Sequence, residues 1–284
     1  MSGMPIDYPA LIRKHGIRPN KRLGQHFMLN PGSLRKVLDA ADLQGDEIVL
    51  EIGAGIGSLT RALASHAGHV IAIEIDPALL PALRDAIGDR PNVEIAVGDI
   101  MDADLAVLVG DREYCVVANI PYHITSNLIR RLAESRHRPS FMVLTLQQEV
   151  AQRIVARPGE MSLLALGVQI YGQVRITARI PAGSFFPKPK VDSAVIRVDF
   201  HAARAVAPEV IDVVFRLANA GFRQKRKQLA NSLSGGLGLP KAEVEARLEE
   251  AGISARRRPQ SLSVEEWIRL ARVSQGWKGP GQGR

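Results

Sequence analysis

The stretch Ile48 to Thr60, IVLEIGAGIGSLT, decides the fold class. An apolar-rich run of five residues leads into glycines at 53, 55 and 57, and a helical pattern begins directly after them. A buried strand passing through a glycine turn into a helix is how doubly wound α/β domains build a ligand crevice at the carboxyl ends of their strands. Glycine there lets the backbone approach a ligand and take φ values that a side chain forbids.

Outward from this turn, Ser58 to His66 reads as a helix and His69 to Ile75 as the next strand. Glu74 ends that strand 21 residues past Gly53, where such a domain places the acid that accepts from ribose hydroxyls. Asp76-Pro77 starts a helix, with Asp as N-cap and Pro at the first helical position. Val93 to Val97 is a third strand ending in Gly98-Asp99, and Asp99 reads equally as an acceptor for an adenine amino group or as a turn residue. Tyr114 to Ala118 is a fourth, running into Asn119-Ile120-Pro121-Tyr122. The glycine turn itself has two readings. A dinucleotide dehydrogenase needs G-x-G-x-x-G, and here the third glycine comes one residue early. The spacing E-x-G-x-G-x-G, led by Glu51, instead resembles the motif of S-adenosylmethionine (SAM) methyltransferases.

The NIPY tetrapeptide carries chemistry suited to an exocyclic amine. The lone pair of an adenine amino group is delocalised into the ring, and holding both N–H bonds on fixed acceptors frees it toward an incoming methyl. Asn119 supplies a side-chain carbonyl, and the Ile120 main-chain carbonyl is a second acceptor beside Pro121, which has no N–H. Tyr122 can stack on the base and face developing positive charge. Positioning and electrostatics would then carry the catalysis.

Composition bounds the rest. The chain of 284 residues is 46% hydrophobic and long enough for two domains. No apolar run reaches the roughly 18 residues of a membrane span, and the N-terminus has no signal-peptide core, so a cytoplasmic protein is expected. The single cysteine, Cys115, lies in an apolar run and reads as core. No cluster has metal-ligand spacing, so no metal is expected. The net charge of +8 is uneven: residues 204–284 hold 15 Lys and Arg against 8 Asp and Glu. A polyanionic partner follows from that excess.

The flanks complete the organisation. Residues 1–20 show no periodicity and read as a flexible lead-in. Lys21 to Met28 is a basic loop with Phe27 docked, and Pro31 to Ala41 an amphipathic helix with Leu34, Val37, Leu38 and Ala41 on one face. Phe141 to Leu146 is a strand, Gln147 to Arg157 a helix, and Ser162 to Tyr171 a helix packed in the core. Val174 to Ile180 and Val191 to Phe200 are the last strands. Between them, Phe185-Phe186-Pro187-Lys188-Pro189-Lys190 is a stiff loop able to offer an aromatic face to a base and lysines to phosphate. A domain boundary is expected near residue 204, giving a first domain at 21–203, a basic helical domain at 204–275 and a flexible tail at 276–284. The basic clusters of that second domain are Arg223, Lys225, Arg226 and Lys227, then Arg256, Arg257 and Arg258.

With these motifs assembled, the chain from about Lys21 to Ala271 resembles the ribosomal RNA adenine dimethyltransferase family, nearest its bacterial small-subunit branch. KRLGQHF, EIGAGIGSLT, EID, GDI, NIPYHITS and SFFPKPKVDSAVI carry the likeness. The resemblance implies a Rossmann-like SAM-dependent methyltransferase domain followed by a smaller all-α domain. It implies SAM cradled by His26, Met28, Gly53, Glu74, Asp99 and Asn119, with Gly55 in the same turn. Position 26 is usually Asn in that family and is His here. Phe185 would close a sandwich on the target adenine opposite Tyr122, and Lys188, Lys190 and the basic clusters would meet RNA. The implied reaction is dimethylation at N6 of two adjacent adenines in a hairpin loop near the 3′ end of small-subunit rRNA, on a pre-30S particle; a monomer is the default expectation. Two alternatives stay open: a large-subunit or DNA adenine as target, and an assembly factor whose binding outweighs its catalysis.

Overall fold

The computed structural model describes residues 6–120, 125–201, 206–224, 226–274 and 276–277. Tyr122 and Lys225 therefore lie outside the described residues, as do residues 278–284 of the expected tail. The chain divides into two compact units, one formed by 1–151 with 173–200 and the other by 152–172 with 201–284.

The first unit opens with α1 (Tyr8–Lys14), β1 (Phe27–Met28) and α2 (Pro31–Ala41). Alternating strands and helices follow: β2 (Ile48–Ile52), α3 (Ser58–Leu63), β3 (His69–Glu74), α4 (Leu80–Ile87), β4 (Val93–Val97), α5 (Leu105–Val109), β5 (Cys115–Asn119), α6 (Thr125–Glu134) and β6 (Phe141–Gln147). After α7 (Gln148–Ile154), within which the division falls, the second unit contributes α8 (Leu163–Gln169). Strands β7 (Gly172–Ile180), β8 (Phe185–Phe186) and β9 (Ser193–Phe200) then complete the first unit's sheets.

Seven strands form one sheet in the order β4-β3-β2-β5-β6-β9-β7. β2 pairs in parallel with both β3 and β5, so the strand order reverses at β2 and a crevice opens at its carboxyl end. β9 runs antiparallel to β6. One sheet face, bearing Val49, Val70, Cys115, Val117 and Val143, packs on Leu34, Val37, Leu38 and Ala41 of α2 and Leu59 and Leu63 of α3. The opposite parity, Leu50, Ile71, Val116, Met142 and Leu144, is fully buried as well. Covered on both faces, these strands read as continuous apolar runs rather than alternations. Burial pushes the Cys115 thiol up to about 12, which leaves it an inert core group.

The lead-in expected over 1–20 is corrected in part. Asp7 caps α1 by accepting from the Ala10 N–H, Pro9 occupies its first turn, and Leu11 and Ile12 bury their side chains. They pack with Phe27, Ile56, Leu79, Ala82 and Ala86, so the helix is held by tertiary contact rather than by periodicity.

The second unit is helical: α8, α9 (Pro208–Phe222), α10 (Leu229–Leu237), α11 (Lys241–Glu250) and α12 (Val264–Val273). Trp267 is fully buried against Phe222, ring centroids 5.8 Å apart. Residues 152–172, expected in the first domain, belong here: Gly167 of α8 lies against the Phe215 ring of α9, and the N–H groups of Gly159 and Met161 donate to the Gln260 carbonyl. An apolar helix is read from sequence without its partner, which explains that misplacement. Trp277, placed in the tail, is buried.

Candidate active site

The carboxyl ends of β2, β3, β4 and β5, together with residues 23–28, enclose a cavity of about 210 Å³. His26, Met28, Gly53, Gly55, Glu74, Asp99 and Asn119, separated by up to 93 positions in the chain, all line it. Each of the last three stands at or just past a strand end, so parallel pairing of the strands brings them to one rim.

The turn after β2 holds Gly55 at φ 59°, and a Cβ there would lie 3.0 Å from the Phe27 ring. Both conditions require glycine. The Gly55 N–H donates to Glu74 Oε2 at 2.7 Å, and the Asp76 N–H donates to Oε1 at 2.8 Å. Glu74 is buried, and that burial raises its carboxyl above the ordinary carboxylate range. Asp99 accepts the Met101 N–H on Oδ1 at 2.8 Å and is half-buried. Asp76 caps the following turn through the Ala78 N–H, the structural role expected of it, and also receives the Gln25 side-chain amide at 2.7 Å.

Asn119 donates from Nδ2 to the His26 main-chain carbonyl at 2.8 Å. His26 bonds through Nδ1 to the Pro187 carbonyl at 2.6 Å. Met28 is buried and paired with Phe185, and Phe27 with Phe186, across the antiparallel ribbon β1–β8. Phe185, expected to face the target base, is the buried one of the pair. Phe185 is packed in the core with Met28, Leu34 and Val195, whereas Phe186 is 43% exposed. Successive residues of a strand point to opposite faces, and the register decides which one goes in.

Sequence reasoning passed over Glu51 as a site residue although it leads the motif. Its side chain lines the same cavity and is buried; Oε2 has no partner among the described residues. Burial, with repulsion from Glu74, lifts its carboxyl to about 8. An orphaned buried carboxylate oxygen, a ribose-type acid and a close-approach turn fit a nucleoside ligand with a cationic amino-acid tail.

In the second unit, Arg223, Arg226, Lys227, Arg256 and Arg258 are exposed. The Leu229 N–H donates to the Arg257 carbonyl and the Ala230 N–H to the Ala255 carbonyl, so the two basic clusters are neighbours. Arg257 differs from the others: its guanidinium pairs with Glu266, which joins Ser263 in the capping box of α12. In the first unit Lys188 and Lys190 are exposed. Among the described residues no group of three metal-ligating side chains gathers, and no helix is long and apolar enough to cross a membrane.

Sheet order and cavity together define the class of Rossmann-like, SAM-dependent methyltransferases. Residues 16–275 match the ribosomal RNA adenine dimethylase family, and the chain belongs to it. It is 41% identical over 264 residues to a ribosomal RNA small subunit methyltransferase A from Dehalococcoides mccartyi, covering 93% of this chain and 91% of that one. To the protein of the same name from Moorella thermoacetica it is 39% identical, covering 94% and 96%. Among solved structures it is similar to a dimethyladenosine transferase from Plasmodium falciparum, with a TM-score of 0.74 and 27% identity over 86% of this chain and 95% of that one. The 23S rRNA methyltransferase ErmE is similar at a TM-score of 0.68 and 27% identity, covering 87% and 98%.

Proposed function

We infer that this chain transfers methyl groups from SAM to N6 of two adjacent adenines in small-subunit rRNA. The observation that carries the mechanism is the fixed amide of Asn119 at the rim of the cavity that Glu74 and Asp99 share. SAM supplies an electrophilic methyl group when bound. Glu74 would hold ribose hydroxyls on the lone pairs that its two backbone donors leave free, Asp99 the cofactor adenine, and Glu51 the cationic tail. Because the Asn119 NH₂ end is taken by the His26 carbonyl, its Oδ1 is the end left to accept from the target amine. The Ile120 carbonyl is the second acceptor, and Tyr122 the stacking ring. Phe185 walls the core under the loop, so the accessible ring of that loop is Phe186. The proton leaves the amine after transfer, and no general base is needed before attack.

Lys188 and Lys190 in one unit, and Arg223, Lys225, Arg226, Lys227, Arg256 and Arg258 in the other, would meet phosphates. A hairpin-loop adenine suits this site because unstacking a loop base costs little. The small-subunit target rests on the higher identity to proteins of that name than to the 23S enzyme. The test is labelled-methyl transfer to small-subunit particles from cells lacking the modification, followed by mapping of the modified nucleotides. Asn119→Ala is expected to retain SAM binding by calorimetry and to lose methyl transfer. Retained turnover removes Asn119 from the mechanism, and label in large-subunit rRNA alone moves the substrate.

A further inference from the structure

Two hydrogen bonds meet at residue 26, and each has only one chemically allowed direction. A main-chain carbonyl accepts and never donates. The group facing the His26 carbonyl must therefore be the NH₂ end of Asn119, whatever the assignment of its O and N atoms. By the same reasoning the imidazole must carry its proton on Nδ1 to meet the Pro187 carbonyl at 2.6 Å. Residue 26 thus joins a strand-end amide 93 positions away to a loop carbonyl 161 positions away. Next to it, Phe27 pairs with Phe186, so the same junction fixes the exposed ring.

We propose that His26 is a positioning residue for methyl transfer: its carbonyl sets which end of the Asn119 amide faces the substrate, and its imidazole locks that carbonyl to the Pro187 loop. The proposal rests on the role given above to Asn119. Were the imidazole link broken, the carbonyl at 26 would lose its direct tie to the Pro187 loop and keep only the ribbon pairing of Phe27 and the side-chain bond of Gln25 on either side of it. An amide free to flip presents N–H to N–H at the reacting amine for part of the time, a loss of about twofold at equal populations, and the larger loss comes from displacement. Misplacement of a reacting group by about 1 Å costs on the order of 100-fold in rate. His26 lines the cofactor cavity too, so the competing role is direct contact with SAM.

The isosteric pair His26→Asn and His26→Asp separates these roles. Asn places an N–H donor where Nδ1 stands, whereas an aspartate carboxylate presents only acceptors to the Pro187 carbonyl. Full-length variants would be assayed for kcat on small-subunit particles and for SAM affinity by calorimetry. Amide hydrogen exchange over residues 185–190 reports the lock directly. His26→Asp and His26→Ala are expected to lower kcat about tenfold or more, with SAM affinity unchanged within about twofold and faster exchange in the loop. His26→Asn is expected to restore most of kcat and the slow exchange. Equal kcat for Asn and Asp variants overturns the proposal. So does SAM affinity that falls in step with kcat, which makes residue 26 a cofactor contact. If Asn119→Ala is inactive while His26→Asp is fully active, only the positioning role fails. If Asn119→Ala turns over normally, the reading of the site itself fails.

Discussion

Glu51 shows how a motif residue can be visible and still be misread. Its place before the glycines is plain in the sequence, but its burial and the nearby Glu74 carboxylate appear only in three dimensions. The folded chain holds this carboxyl at about 8, well above the 4.5 of a free glutamate. Between those values the native state binds the extra proton, so stability falls as pH rises from about 4.5 to about 8. Denaturant unfolding at pH 6 and pH 9 is expected to show this loss, on the order of a few kcal/mol. Glu51→Gln should lose markedly less over the same interval. An identical pH dependence in the variant would show that Glu51 does not titrate in that range. Glu74, Asp99 and Asn119 were legible because each terminates a strand. The links of His26 were not, since no local pattern encodes contacts that span most of the chain.

Among the elements, those with a clear stripe or a β-branched run were the readable ones. Pro31–Ala41 and Val93–Val97 stand where the pattern put them, because an amphipathic stripe and a β-branched run each need few assumptions. Several elements escaped, the short α1 and β8 among them. α1 has seven residues and too few turns for a stripe, and it exists through packing on Phe27 and Leu79. Truncating its buried Leu11 to Ala is expected to cost about 2–3 kcal/mol in denaturant unfolding, which a loosely held lead-in would not show. In β8 two residues leave the alternation without a reference, and the partner Met28 decides that Phe185 is the buried one. Phe185→Ala should therefore cost about 3 kcal/mol or more in stability. Phe186→Ala should leave stability nearly unchanged and act on RNA turnover instead. A reversed pattern in thermal and kinetic assays would mean that the ribbon register is wrong.

At the scale of the molecule, the charge asymmetry sharpens once the true units are known. The first holds 20 Lys and Arg against 20 Asp and Glu, and the second 17 against 9, so the whole net charge of +8 belongs to the second. Moving residues 152–172 across the boundary made the split complete. Composition had located the excess; which arginines are available had to come from contacts. Replacing Arg226 and Lys227 with Ala is expected to flatten the salt dependence of RNA binding by about 0.7–0.9 in log–log slope per lost phosphate contact. Arg257→Ala should chiefly destabilise the second unit through the loss of Glu266, with binding slope preserved. Titrations at several salt concentrations, paired with melting curves, tell the two effects apart.

The two-residue ribbon between Phe27–Met28 and Phe185–Phe186 also has a bearing on synthesis. One of its sides leaves the ribosome long before the other, with strands β2 to β7 translated between them. The parallel strands around the glycine turn are complete by residue 119, and domains fold progressively from the amino end as they emerge. The lip of the cavity must wait for its partner, so a nascent chain can own a nearly finished sheet without a closed cofactor site.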